Sequence, residues 1–284
     1  MKTVIALSGL AGFLLFGPPL YHAKHVKHRH LVQLDRDVVA KVAVEAQSRC
    51  RFEAERSVTA SASLGELLHV VAGSGSLEVV GVTGLDEVRA TARACASHEE
   101  FLEELQLTSR REGSNLYVET QYPDWSGWSG GGNRYARLDL RVEVPEGMAA
   151  DIVDSSGEMT LSDLGDVVVD DSSGEIEAYG IRGDIRIDDS SGEITLRDIT
   201  GDVEIDDGSG EIDLSTVGGS VVIDDGSGEI TVGDVEGSVR VVRDGSGSIE
   251  VDGVGGDFVV ERDGSGGIEY RNVTGRVDVP RKGR

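Results

Sequence analysis

From residue 151 onward the apolar positions recur on a frame of about 18 residues. Inside each frame they fall as two doublets of period two with a lone apolar residue between them. With Gly192 as origin, the doublets are Ile194/Leu196 and Val203/Ile205, and the lone residue is Ile199. Side chains two apart in an extended chain share one face, so each doublet predicts a short strand with one side inward. Ile199, just before Gly201, fills a corner. The same five positions read Met159, Leu161, Leu164, Val167 and Val169 in the first frame, and Ile268, Tyr270, Val273, Val277 and Val279 in the last. No charged residue enters them in any frame, and β-branched Ile and Val dominate, as strands prefer.

Each frame is punctuated by Asp-x-Ser-Gly. Its glycines are Gly157, Gly174, Gly192, Gly210, Gly228, Gly247 and Gly266, spaced 17, 18, 18, 18, 19 and 19 residues apart. A second glycine follows about nine residues later, at Gly165, Gly183, Gly201, Gly219, Gly237, Gly256 and Gly275. The unit is therefore strand, turn, strand, turn. A fixed period of this length is the mark of a solenoid whose coils stack on one another. The expected fold is an all-β, single-chain β-solenoid (β-helix) over 151–284, with seven coils spanning about 30 Å. At the turn, Asp accepts a backbone N–H two residues on, and Gly supplies a positive φ. Stacking would set Asp154, Asp171, Asp189, Asp207, Asp225, Asp244 and Asp263 in a turn ladder.

Residues 49–150 predict an irregular cap. Leu77 and Val79, after Gly73-Ser74-Gly75, copy the first doublet and mark a degenerate coil, with Ala72 where later coils have Asp. Strands are expected over Arg51–Ala62, Leu67–Val71 and Ala136–Val144. A hairpin insertion of Gln106–Arg111 with Leu116–Tyr122 turns at Gly113-Ser114, and a short helical stretch covers His98–Leu105. Between the hairpin and the last strand lies DWSGWSGGGNRY, residues 124–135, which carries both tryptophans. Trp125, Trp128, Tyr122 and Tyr135 are the candidate ligand-binding residues, because exposed aromatics stack on sugar rings or a protein partner. The competing expectation is that the tryptophans fold back onto the solenoid.

Charge narrows the partners. Residues 1–150 hold 19 acids and 16 bases, residues 151–236 hold 25 and three, and residues 237–284 hold eight of each. The excess negative charge thus sits on the first five coils, read here as a solvated face. That argues against nucleic acid, or an anionic membrane, at this surface. Pro280, with Arg281, Lys282 and Arg284, should discourage edge-to-edge pairing at the far end.

Met1–Ala23 reads as a signal peptide or N-terminal anchor: one lysine, an apolar run from Thr3 to Gly17, then Pro18-Pro19. Residues 24–48 read as a basic linker, and the stretch 22–30 carries His22, His25, His28 and His30 in a His-rich tract; such a tract can bind metal, but here it is read as a linker. The chain is expected to be exported to the periplasm, cell envelope or exterior, with membrane contact only through an uncleaved N-terminus. In that compartment Cys50 and Cys95 are expected to form a disulfide, with two buried thiols as the alternative.

The segments AGSGSLEVVG (72–81), LDEVRATARACAS (85–97) and YARLDLRVEVPEG (135–147), followed by tandem SSGEI…GDV units, resemble the bacterial putative adhesin family, a domain of unknown function with tandem β-strand repeats. The resemblance spans residues of about 50 to 280. It implies an exported or membrane-associated β-solenoid and supplies no catalytic residues. The residues predict no cofactor, no metal and no catalytic set. The reading is a non-catalytic, envelope-associated, adhesin-like interaction protein whose partner is an unknown envelope or cell-surface protein or glycan. A carbohydrate-active β-helix enzyme is the first alternative, and it needs carboxylates gathered in a groove. A calcium-stabilised solenoid is the second, although the GGxGxD repeat of calcium β-rolls is absent.

Overall fold

In the computed structural model, which describes residues 50–124 and 134–280, the chain is a β-solenoid of two eleven-stranded sheets facing one another across a single core. Met1–Ala23, the His tract, Trp125, Trp128, Arg281, Lys282 and Arg284, for which the sequence raises expectations, lie outside the described residues.

The cap comprises β1 (Phe52–Ser61), β2 (Leu67–Val71), β3 (Leu77–Val82), β4 (Glu87–Ala96), helix α1 (Glu99–Glu104), β5 (Gln106–Glu112), β6 (Asn115–Gln121) and β7 (Ala136–Pro145). The regular coils follow as strand pairs. They are β8 (Ala149–Asp154) with β9 (Met159–Ser162), β10 (Val167–Asp171) with β11 (Ile176–Tyr179), and β12 (Ile185–Asp189) with β13 (Ile194–Ile199). Next come β14 (Val203–Asp207) with β15 (Ile212–Val217), and β16 (Val221–Asp225) with β17 (Ile230–Val235). Last are β18 (Val239–Asp244) with β19 (Ile249–Val254), β20 (Phe258–Val260) with β21 (Ile268–Val273), and the short β22 (Val277–Asp278). Odd-numbered strands from β9 form one sheet and even-numbered strands from β8 the other, all parallel and in register from coil to coil apart from one bulge between β16 and β18, where Ile223 pairs with Val241 and Asp224 with Arg243.

The register explains the sequence frame. Ile187 pairs with Ile205 and Ile205 with Ile223, so each inward position becomes a column of like side chains along the rod. In the six coils from Met159 to Val260 every predicted inward position is buried. Each such side chain contributes about 1.5–3 kcal/mol of hydrophobic stabilisation, an upper figure because the unfolded chain is itself partly collapsed. The last coil departs from the pattern: Ile268, Val273, Val277 and Val279 are only half-buried and Tyr270 is exposed, because no further coil lies over them among the described residues.

The invariant glycines have a steric cause. Gly192 sits at φ 151°, and a Cβ there would lie 1.5 Å from the carbonyl oxygen of Gly174 in the preceding coil. Backbone packs on backbone at this corner, so only Gly fits. The periodic frame does not announce a second corner. Asp163, Gly180, Asp198, Thr216, Asp234, Gly253 and Asn272 occupy one register position with φ between 53° and 81°. Apart from Thr216 these are the residue types that tolerate the left-handed region.

The cap interleaves rather than simply preceding the coils. β3 lies between β7 and β9, and β2 lies between β6 and β8. The degenerate coil β2–β3 is thus sandwiched between the regular coil β8–β9 and a coil made later in the chain by β6 and β7. β4 then pairs antiparallel with β7 and β1 antiparallel with β4, while β5 closes the other sheet as a hairpin with β6. Phe101 and Leu105, at and beside α1, are buried at this end.

One expectation needs correction. The aspartates of Asp-x-Ser-Gly do not belong to a solvated coat. Asp154, Asp171, Asp189, Asp207, Asp225 and Asp244 are at most 3% exposed. Alternation along β10, for example, sends Val167, Val169 and Asp171 inward and Val168 and Asp170 outward.

Candidate functional site

The coil β6–β7 replaces the tight Asp-x-Ser-Gly corner with the long segment 122–135. Asp124-Trp125-Ser126-Gly127 is itself an Asp-x-Ser-Gly, a match that the run of seven overlooks. A groove of about 960 Å³ opens at the base of this segment. Tyr122, Tyr135, Arg134, Arg137, Asp139 and Glu158 supply its side-chain walls, and the backbone of 73–76 and 155–157 supplies its floor. The structure therefore brings Tyr122 and Tyr135 to one site.

Each tyrosine is held by the fold. The Tyr122 hydroxyl donates to the Ser74 carbonyl at 2.8 Å, and its ring lies so close to Gly73 that a Cβ there would sit 2.4 Å from it. Burial pushes the Tyr122 hydroxyl up to about 12, so it stays a donor. Tyr135 is 39% exposed. Its N–H donates to Ser97 Oγ at 3.1 Å, and its hydroxyl accepts from the Arg51 N–H at 3.1 Å. Arg51 is placed in turn by the Cys50–Cys95 disulfide, which ties the start of β1 to β4 with Cα atoms 5.3 Å apart. On the wall, Asp139 Oδ1 accepts from the Ser76 N–H at 3.4 Å and faces the Arg137 guanidinium at 3.6 Å. The groove thus offers an exposed aromatic face, guanidinium groups and carbonyl acceptors: equipment for gripping a polar, ring-bearing ligand.

The aspartate ladder is the other concentration of chemistry. Asp154, Asp171, Asp189, Asp207 and Asp225 are register partners of their neighbours, and the column runs on to Asp244 and Asp263. Oδ1 of Asp189, Asp207 and Asp225 accepts the N–H of Ser191, Ser209 and Ser227 at 3.0–3.1 Å, the turn bond that the sequence predicts; Asp171 takes the Ser172 N–H, one residue on, at 2.8 Å. Oδ2 of Asp171, Asp189, Asp207 and Asp225 is buried without a hydrogen-bond partner. Burial, reinforced by the neighbouring carboxylates, pushes Asp189 up to about 6 and Asp225 up to about 7; Asp154 is pushed up to about 6 by the same causes. Asp171, Asp207 and Asp244 also move up, chiefly through burial. Among the described residues no group of three or more His, Cys, Asp or Glu is arranged to hold a metal ion.

No family model and no curated protein matches the chain. Solved structures do. A "putative cell adhesion protein" from Clostridium sporogenes shares 14% identity over 81% of this chain and 100% of its own, with a TM-score of 0.28. A "putative lipid binding protein" from Parabacteroides distasonis shares 16% over 80% and 97%, with a TM-score of 0.42. A "putative adhesin" from Bacteroides fragilis shares 13% over 80% and 97%, with a TM-score of 0.25. These neighbours are named for adhesion or lipid binding, not as enzymes. At these identities and scores nothing further is built on them.

Proposed function

We propose that this protein is an exported, envelope-associated, adhesin-like interaction protein without catalytic activity, and that it grips its ligand in the groove between Tyr122 and Tyr135. The observation that carries the reading is that groove. The solenoid is a regular rod, and its β6–β7 corner, where the frame lengthens, is lined by two tyrosines pinned from below and by arginines. The chemistry recognises a surface glycan or a polar loop of an envelope protein.

Binding of the full chain to arrayed envelope glycans and to intact cells tests this. Tyr135→Ala should weaken binding about tenfold or more, since stacking on a ring is worth about 1–3 kcal/mol. Tyr179→Ala, at an exposed tyrosine outside the groove, should leave binding unchanged. Equal binding by the wild type and Tyr135→Ala would overturn the proposed site. A second reading, glycan cleavage, draws on Asp139 and Glu158, the two carboxylates on the groove wall. Release of reducing ends from a bound glycan, abolished by Glu158→Gln, would replace binding with catalysis.

A further inference from the structure

We propose that the C-terminal end of the solenoid is the interface of a symmetric dimer, in which a second copy of this chain docks end to end through antiparallel pairing of β21 with β21 and β22 with β22. Among the described residues this end is open in two respects. There β21 and β22 each have a strand on one side only, which leaves a row of backbone N–H and C=O groups without sheet partners on the other. The inward face is also bare. Tyr270 is 46% exposed, whereas the equivalent Leu161, Ala178, Leu196, Leu214, Val232 and Val251 are at most 2% exposed.

The opposite end differs. There Arg56 donates to the carbonyls of Leu102 and Leu105 at 2.9 and 3.0 Å, tying β1 to the helical segment that plugs the core. Head-to-tail stacking would have to displace that plug. Tail-to-tail stacking would not.

Charge selects a second copy as occupant. β21 contains Glu269-Tyr270-Arg271, and β22 with the residue before it reads Arg276-Val277-Asp278. Each is an inward-pointing residue flanked by opposite charges on the outer face. Antiparallel self-pairing centred on Tyr270 sets Glu269 opposite Arg271 of the second copy, and pairing centred on Val277 sets Arg276 opposite Asp278. Opposite charges across an antiparallel pair attract; like charges repel. The two centres also share an axis. Tyr270 packs on Phe258 across the core with ring centroids 5.8 Å apart, and Phe258 is the register partner of Val277. A single two-fold axis perpendicular to the sheets therefore passes by both residues, as an isologous interface requires. The charges are now spent on exposed pairs, Arg271 with Asp252 at 3.6 Å and Arg276 with Asp278, which contribute little and exchange readily. Pro280 lies three residues beyond the Val277 centre, where it limits pairing to the middle of the edge rather than preventing it.

Sedimentation equilibrium of the full chain should give twice the 30.1 kDa of one chain. Glu269→Arg would set like charges opposite each other at both symmetry-related positions and should raise the dimer Kd by about tenfold. Combining it with Arg271→Glu restores opposite signs and should restore the wild-type Kd. Tyr270→Asp should give a monomer whose circular dichroism matches that of the wild type. Tyr270→Cys should form a covalent dimer on oxidation, because residues paired about such an axis lie within disulfide reach. A wild-type monomer at about 100 μM would overturn the proposal. So would a dimer indifferent to Tyr270→Asp, or a charge swap that fails to rescue.

Discussion

Two columns of aspartate run side by side along this rod, one residue apart in sequence and opposite in situation. Asp170, Asp188 and Asp206 are exposed and Asp224 is half-exposed, all on the outer face; Asp171, Asp189, Asp207 and Asp225 are shut inside. Both columns have the same side chain, the same spacing and the same in-register stacking. Strand alternation alone separates them. The outer column is relieved by water and, at its end, by Arg243, whose Nε lies 2.7 Å from Asp224 Oδ1. The inner column has turn N–H groups on one oxygen and nothing on the other. A carboxylate costs little on one side of the sheet. On the other side it must be hydrogen-bonded, or hold a proton.

The largest test places a carboxylate inside without the turn that serves it. Ile205 is 1% exposed, two residues before Asp207 on the same strand. Ile205→Asp should cost about 3–5 kcal/mol, read as a lower urea midpoint, because it opens a cavity and buries a charge that no corner N–H reaches. Glu204→Asp, one position away on the outer face, should change stability by less than about 0.5 kcal/mol. Equal stability of the two variants would mean that the inside and outside of this strand are wrongly assigned.

How much of this was legible in the sequence follows from what repeats. Periodic apolar doublets and glycines determine strands, corners and stacking, because a column of identical residues has one way to satisfy packing in every coil. The inner aspartates were legible as turn formers, and the Asp-to-N–H bonds are there. Their burial was not, because the chain writes Asp-Asp at the strand end and charge ordinarily reads as surface; counting alternation on from Val203 and Ile205 would have reached Asp207. The cap resisted for a different reason. β2–β3 is sandwiched by a coil assembled later in the chain, and no local pattern encodes such interleaving. Tyr122 and Tyr135 could be singled out as exposed aromatics, but their shared groove depends on Ser74, Ser97 and Arg51, which are remote in sequence.

The pH dependence of stability reads the inner column next. The inner carboxyls of Asp189 and Asp225 hold protons up to about 6 and about 7, while in the unfolded chain they release them near 3.9. Between those values the native state binds more protons than the unfolded state. Stability from these groups is therefore complete below about pH 4 and is lost as pH rises through 6 to 7. Thermal or urea unfolding should show the protein less stable at pH 8 than at pH 5, by on the order of 4 kcal/mol. Asp189→Asn with Asp225→Asn keeps the turn acceptors and removes the titration, so the slope should shrink. A slope of opposite sign, or one that the Asn pair leaves unchanged, would show that the inner ladder does not carry it.

Salt gives the smallest and most selective effect. Screening acts on charges in water and reaches buried ones weakly. Repulsion along Asp170, Asp188, Asp206 and Asp224 should therefore fall as sodium chloride rises, with stability gaining up to about 1 kcal/mol at pH 7. The inner column should contribute almost nothing to that gain. Asp206→Lys, set between Asp188 and Asp224, copies the switch that Arg243 makes one coil beyond Asp224, and should both stabilise the protein at low salt and flatten its salt response. Asp207→Asn should leave the salt response intact. Calcium at matched ionic strength then distinguishes screening from binding. Screened outer carboxylates respond to ionic strength alone, so the sodium and calcium melts should coincide. If calcium instead raises the melting temperature by several degrees more than sodium does, and Asp207→Asn removes that excess, the inner ladder is a cation column and its unpartnered oxygens are ligands rather than proton sites.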